Sequence, residues 1–206
     1  MKIRTFIATA SQVASGSPVA TVKGALTTES AFGTHLEKSN LKAVNATEGF
    51  VYAVDSMLGG NVSTETGELY VSGSTLSASL TGDSNQYTDV YDSTVKGALT
   101  SSGNAVGGVF CASEVYGAAK YAGNSDNLQI GGEGLLGSCA GASYFGGDVE
   151  VTDSTANAVL DNAIVRGGLT ATGNNPVLVV GELAPRATAP PPTSSTSGAP
   201  RRPRAA

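Results

Sequence analysis

The chain has no tryptophan, a single histidine (His35) and two cysteines (Cys111 and Cys139) in 206 residues. A metal site would therefore have to be built largely from carboxylates, and a histidine-assisted nucleophile has one base to draw on. The segment FGTHLEKS around His35 offers Glu37 but no serine or cysteine nucleophile motif, so His35 reads as an exposed or corner residue. Two cysteines are too few for a disulfide framework, and without C-x-x-C spacing they make no zinc site. They could pair in an exported protein, but the expectation is two small buried hydrophobes.

Charge is also scarce, at 14 % of residues, and it is unevenly placed. Residues 1–182 carry a formal charge of −9, while the four arginines beyond them (Arg186, Arg201, Arg202 and Arg204) have no acid alongside. An acidic body disfavours nucleic acid as a partner, because phosphate binding needs clustered Lys and Arg. No apolar run approaches the roughly 18 residues of a membrane helix, so no membrane span is expected. At the N-terminus, Lys2 and Arg4 precede a mildly apolar Thr5–Ala14, the order of a signal peptide. Thr9, Ser11 and Gln12 dilute that run, so residues 1–19 are read as a weak signal peptide or a disordered start. Six of the eight prolines lie in 184–206, a composition that cannot bury a core; residues 183–206 are expected to be a disordered Pro/Ser/Arg-rich tail.

What the chain does have is 27 glycines and a repeated phrase. STVKGALTSSGN (93–104) is echoed by ATVKGALTTES from Ala20 and by AIVRGGLTATGN from Ala163. The apolar residue two places before the glycine recurs at Val22, Leu41, Leu58, Leu76, Val95, Val115, Leu135, Phe145 and Val165. The spacing is 17–20 residues except for the ten between Leu135 and Phe145. Two places on, every residue is Gly or Ala. Four places on, all are apolar except Asn45. Alternation with period two then puts all three positions on one inward strand face, and Lys23, Lys42, Lys96 and Arg166 between them on the outer one. Ser39, Ser56, Ser74, Ser93, Ser113 and Ser143, together with Asn85, Asn104, Asn124 and Asn174, recur as corner residues, and stacked amides can form a ladder.

A second strand per coil is expected at FVYAV (50–54), ELYVS (68–72), GVFCA (108–112), NLQIG (127–131), NAVLD (157–161) and PVLVV (176–180). The pattern predicts an all-β fold over 20–182, a single-stranded β-solenoid wound as a right-handed β-helix with coils of about 17–20 residues. Eight or nine coils would make a rod about 40 Å long. ESAFGTHLEK (29–38) is the most helix-compatible stretch near the first coils. Patterning stops after Val180, so the end of the rod is expected to be open.

Candidate chemistry is thin. GEGLLG (132–137) matches the dinucleotide fingerprint G-x-G-x-x-G, but the repeat accounts for it, and Leu136 occupies the Asp position of a calcium nonapeptide. No catalytic, metal-binding or cofactor-binding residue, and no cofactor, is assigned. Asp89 with Asp92, and Asp148 with Asp153, each share a coil, and Asp92 and Asp161 share a column too many coils apart for paired carboxylates. These acids are the only footing for a polysaccharide lyase or hydrolase. A surface hydroxyl array (Thr27, Ser63, Thr81, Thr100 and Thr170) would suit an ordered surface such as ice, but Ala46, Lys120, Ala140 and Glu150 interrupt it.

The segments ASYFGGDVEVTDSTANAVLDNAIVRGGLTATGNNP, STVKGALTSSGN and NLQIGGEGLLGSC resemble repeats of uncharacterised, often exported actinobacterial β-solenoid proteins over roughly residues 74–180. The resemblance implies the fold and an extracellular or cell-surface setting, and it implies no catalytic residues. The short glycine-rich coils are also similar in architecture to bactofilins, cytoplasmic solenoids that polymerise end to end. The expected function is a non-catalytic structural or surface-interaction protein, with cell-surface or glycan contact and self-association through open ends as its partners. The alternatives are a cytoplasmic bactofilin-like polymer and a glycan-active β-helix enzyme.

Overall fold

The computed structural model describes residues 20–29, 33–134 and 136–181; the expectations for 1–19 and 183–206, and for Leu135, lie outside them. The described chain is an all-β solenoid in which every long-range strand pairing is parallel, and only Glu133–Gly134 with Gly137–Ser138 pair antiparallel. Each coil contributes three short strands, for example Thr75–Leu76, Leu80–Asp83 and Thr88–Tyr91, and these define three faces. The first and second faces form one 14-stranded sheet, because the long strand Ser39–Ala46 runs through both. The third face is an 8-stranded sheet from Thr34–Glu37 to Val179–Val180. The helix-compatible stretch near the first coils is thus a strand, Thr34–Glu37, held by its parallel neighbour Gly49–Val54.

Apolar residues stack on their counterparts one coil away. Leu58, Leu76, Val95, Val115 and Phe145 form one such column and Val62, Leu80, Leu99, Ala119 and Val149 another, all buried in a single core. Asn45 breaks the apolar column because its coil is one residue short at the corner: Leu41 stacks on Leu58, but Val44 stacks on Val62.

The Gly/Ala column does not point inward. After Val95 the chain bends, and Gly97 sits at the corner between the first and second faces, half-exposed. Val95 and Leu99 both face the core because the chain turns between them. What excludes a side chain at Gly97 is the previous coil: a Cβ there would lie 2.6 Å from the Ala78 carbonyl carbon and the Ser79 nitrogen. The corner backbones hydrogen-bond along the rod, Gly97 N to Ala78 O at 3.2 Å and Gly117 N to Gly97 O at 3.0 Å. Glycine here is a condition of axial contact.

The other two corners carry polar ladders. Ser93 N donates to Ser113 Oγ and Ser74 N to Ser93 Oγ, both at 3.0 Å, while Ser93 Oγ donates back to Tyr91 O. At the third corner Gly67 N donates to Asn85 Oδ1 and Asn104 N to Asn124 Oδ1. Asn85, Asn104 and Asn124 are buried, and the residues before them (Ser84, Gly103 and Gly123) take φ of 53°, 63° and 62°. That conformation tightens the turn and aims the amide inward.

The irregular step in the repeat is an insertion. Val115 pairs with Phe145 directly, so Gly137 and Cys139 do not belong to the repeated columns. The chain between Ile130 and Ser143 instead leaves the coil as the small antiparallel hairpin. Cys139 is bonded to Cys111 in a disulfide, which corrects the expectation of two free buried thiols. Gln129 braces the same segment: its Nε2 donates to Gly132 O and Gly137 O, and its Oε1 accepts from Leu136 N. Closing a loop of this length is worth about 3–4 kcal/mol on the chain-entropy account.

Because Gly97 meets backbone, Gly97→Leu is expected to destabilise the rod by about 1–3 kcal/mol or more, whereas Lys96→Ala, on the exposed side of the same corner, is expected to stay within about 0.5 kcal/mol. Thermal melts of the two variants check this; equal melting temperatures contradict the corner assignment.

Candidate functional site on the outer third face

On the third face, inward and outward residues alternate, and the outward columns follow from the register. His35, Tyr52, Tyr70, Asp89 and Val109 lie in one column, flanked by Phe50 and Glu68 on one side and Ser72, Tyr91 and Cys111 on the other. The rings touch in series along the rod. Phe50 and Tyr52 centroids are 4.6 Å apart, Tyr52 and Tyr70 5.8 Å, and Tyr70 and Tyr91 5.7 Å. His35 meets Tyr52 edge-on at 6.4 Å. Cross-strand aromatic pairs of this kind stabilise a sheet modestly.

Two carboxylates are set into the stripe. Glu68 Oε2 accepts hydrogen bonds from the hydroxyls of Tyr52 and Tyr87, which lie 2.7 Å from each other. Burial and this shared carboxylate push the Tyr52 and Tyr87 phenols up. Asp89 Oδ1 accepts from Val109 N at 2.9 Å. Partial burial pushes the Asp89 carboxyl up to about 6 against the opposing pull of that bond, and burial beside Asp89 raises Tyr91 to about 12. A shallow groove of about 470 Å³ adjoins the stripe, lined by Glu48, Gly49, Phe50, Thr66, Gly67, Glu68 and Gln86.

The stripe ends at the insertion. Val109, Gln129 and Val159 continue the outward column yet are buried, and Val109 packs with the Cys111–Cys139 bridge against Tyr91. The repeat held no signal for this patch. Alternation within TDVY and ELYVS marks which residues face out, but only pairing puts Tyr70 beside Tyr91.

The acids weighed as catalytic candidates do not converge. Asp89 lies on the strand, Asp92 at the following left-handed corner with φ 46°, and Asp153 at an Asn-type corner with φ 55°. Asp148 Oδ1 accepts from Gly168 N at 2.7 Å. Asp161 stands next to Gly132 of the insertion, and pairing places it in the column of Tyr91, not of Asp92. His35 is exposed on the outer face beside Tyr52. No group of three or more His, Cys, Asp or Glu side chains that could hold a metal ion occurs among the described residues. Within GEGLLG, Glu133–Gly134 and Gly137 belong to the hairpin, so the match opens no helix.

Register also redraws the hydroxyl array. Thr27, Asn45, Ser63, Thr81, Thr100, Lys120, Glu150 and Thr170 are neighbours in order, while Ala46 turns inward and Ala140 belongs to the insertion. Ser63 Oγ donates to Asn45 Oδ1, and Lys120 pairs with Glu150 at 3.1 Å, so the column satisfies several of its own polar groups.

A carboxyl raised on folding favours the folded state while protonated. Asp89 therefore contributes stability at pH below its ordinary value near 4, and that contribution, up to about 2–3 kcal/mol, is lost as pH rises through about 6. Asp89→Asn removes the charge, so its melting temperature relative to the parent chain is expected to climb between pH 4 and pH 7; a pH-independent difference contradicts the assignment. Among the described residues no helix is long and apolar enough to cross a membrane. Comparison with known proteins finds no family model, curated protein or solved structure that matches the chain.

Proposed function

We propose that the chain is a non-catalytic, exported structural rod that acts by presenting its faces to a surface. The observation that carries this reading is the unbroken stack: one core links the coils, and the insertion after Ile130 is pinned by a disulfide. Enzymes built on coils wall a cleft with long loops around converging side chains. Here the acids are dispersed over corners and outer faces. Eight coils at strand spacing make a rod about 40 Å long, long enough to act as a spacer. The Cys111–Cys139 bridge supports export, because disulfides persist in oxidising compartments.

A second reading, end-to-end association, is favoured by one feature. In the last described coil Leu169, Val177 and Val180 are 40 %, 75 % and 62 % exposed around a hollow of about 340 Å³. Among the described residues no strand pairs with the outer edges of Leu169–Thr172 and Val179–Val180, and parallel edges with exposed apolar residues invite further pairing.

Cell fractionation with thiol labelling tests the first reading. Protein recovered outside the cytoplasm with both cysteines protected from alkylation is the expected result; uncleaved, fully alkylated protein confined to the cytoplasm sinks it. Electron microscopy of concentrated protein tests the second, and uniformly single rods reject it.

A further inference from the structure

We propose that the aromatic stripe of the third face is a binding platform for a neutral polysaccharide chain, lying along the rod across Tyr52, Tyr70 and Tyr91 and hydrogen-bonded by Glu68 and Asp89. This deepens, and rests on, the reading of the rod as a surface-interaction protein.

The composition of the patch is more than sheet stability asks for. Four of the chain's seven tyrosines (Tyr52, Tyr70, Tyr87 and Tyr91) lie here, on the outer side of the third face, while Val51, Leu69, Val71 and Val90 of the same strands fill the main core behind them. A ladder that only braced the sheet would be served by aromatic and β-branched residues throughout. Instead Glu68 and the half-buried Asp89 interrupt it, each engaged by the protein through one oxygen, Oε2 of Glu68 and Oδ1 of Asp89. Partly exposed rings beside acceptors form an amphipathic surface, the kind tyrosine supplies at low entropic cost.

The chemistry selects the occupant. Glu37, Glu48, Glu68 and Asp89 border the stripe, which repels anionic polymers. A neutral polysaccharide offers hydroxyl donors to the carboxylates and phenols, and flat C–H faces to the rings. The rings do not converge into a cage around a single cation: Tyr52, Tyr70 and Tyr91 sit in successive coils with interplanar angles of 67° and 40°. From His35 to Tyr91 the stripe spans three coil rises, about 14 Å, which suits an extended chain. The groove flanking Phe50 and Glu68 widens the track, and the disulfide-held insertion closes it beyond Tyr91.

The test is retention of the full chain in native gels cast with cellulose derivative, xylan, glycol chitin or β-glucan, with calorimetry on the soluble hexasaccharide of whichever polymer retards it. The expected result is retardation by at least one polymer, an affinity loss of about tenfold or more for Tyr70→Ala and for Tyr52→Ala, and near-parental binding by Tyr70→Phe. Tyr116→Ala, which removes an exposed ring paired with Tyr144 elsewhere on the rod, is expected to bind as the parent chain does. Thermal melts confirm that the variants fold. Absence of retardation by all four polymers overturns the proposal, as does equal loss in Tyr116→Ala, or Tyr70-dependent binding of polylysine in place of sugar. Release of reducing ends with Tyr70-dependent binding would leave the platform standing and overturn only the non-catalytic reading.

Discussion

Every feature of this molecule is subordinate to the hydrogen bonding of each coil to the next. Strand amides and corner amides alike donate along the axis, as when Lys96 N bonds to Leu76 O and Gly97 N to Ala78 O. Neighbouring coils must therefore keep the same shape at every position that bonds. The requirement is strictest at corners, where a side chain has the least room. That is why serine and asparagine recur there: Ser74, Ser93, Ser113, Asn85 and Asn124 each accept from a backbone N–H one coil away while staying buried, where an unpaired polar group would cost about 1–3 kcal/mol. The phrase V-K-G-A-L-T is the imprint of that axial constraint.

The same constraint decides where the chain can vary. From Ser56 to Ser113 the coils lengthen, and the extra residues enter at the asparagine corner: three residues separate Glu65 from Leu69, four separate Asp83 from Thr88, and five separate Ser102 from Gly108. The strands on either side keep their register, so the core columns are undisturbed. The large insertion obeys the same rule. It leaves after Ile130 and returns before Ser143, and Phe110 still packs on Phe145 with ring centroids 5.0 Å apart.

Coil length, the apolar columns, both polar corners and most third-face strands were legible in the sequence, because stacking forces those positions to repeat. The Gly/Ala column was legible as a column and misread as geometry. Period-two alternation holds within a straight strand, and between Val95 and Leu99 the chain turns. The same kind of miscount put Cys139 in an apolar column and Asp161 with Asp92: a fixed spacing loses register inside the insertion in the first case and across a longer asparagine corner in the second. The candidate site was not legible, for a physical reason: Tyr52, Tyr70 and Tyr91 project away from the axis, where no neighbour dictates their identity. Nothing in an outward column has to repeat.

That freedom is also why the outward columns are where function is best sought in a rod of this kind. Core and corner identities are consumed by stacking, so they report the fold alone. An outward residue held at a cost reports something else. Asp89 is half-buried on a solvent face among tyrosines, in a position where a threonine or valine would suit the sheet better. The insertion is the complementary case: it packs on Val109 and Gln129, which would otherwise extend an apolar and polar track past Tyr91. One segment of the third face is thus sealed and the adjoining one left open, with aromatic and carboxylate groups concentrated in the open part. A spacer with no interaction face would need neither the seal nor the concentration, since axial stacking alone already holds its coils together.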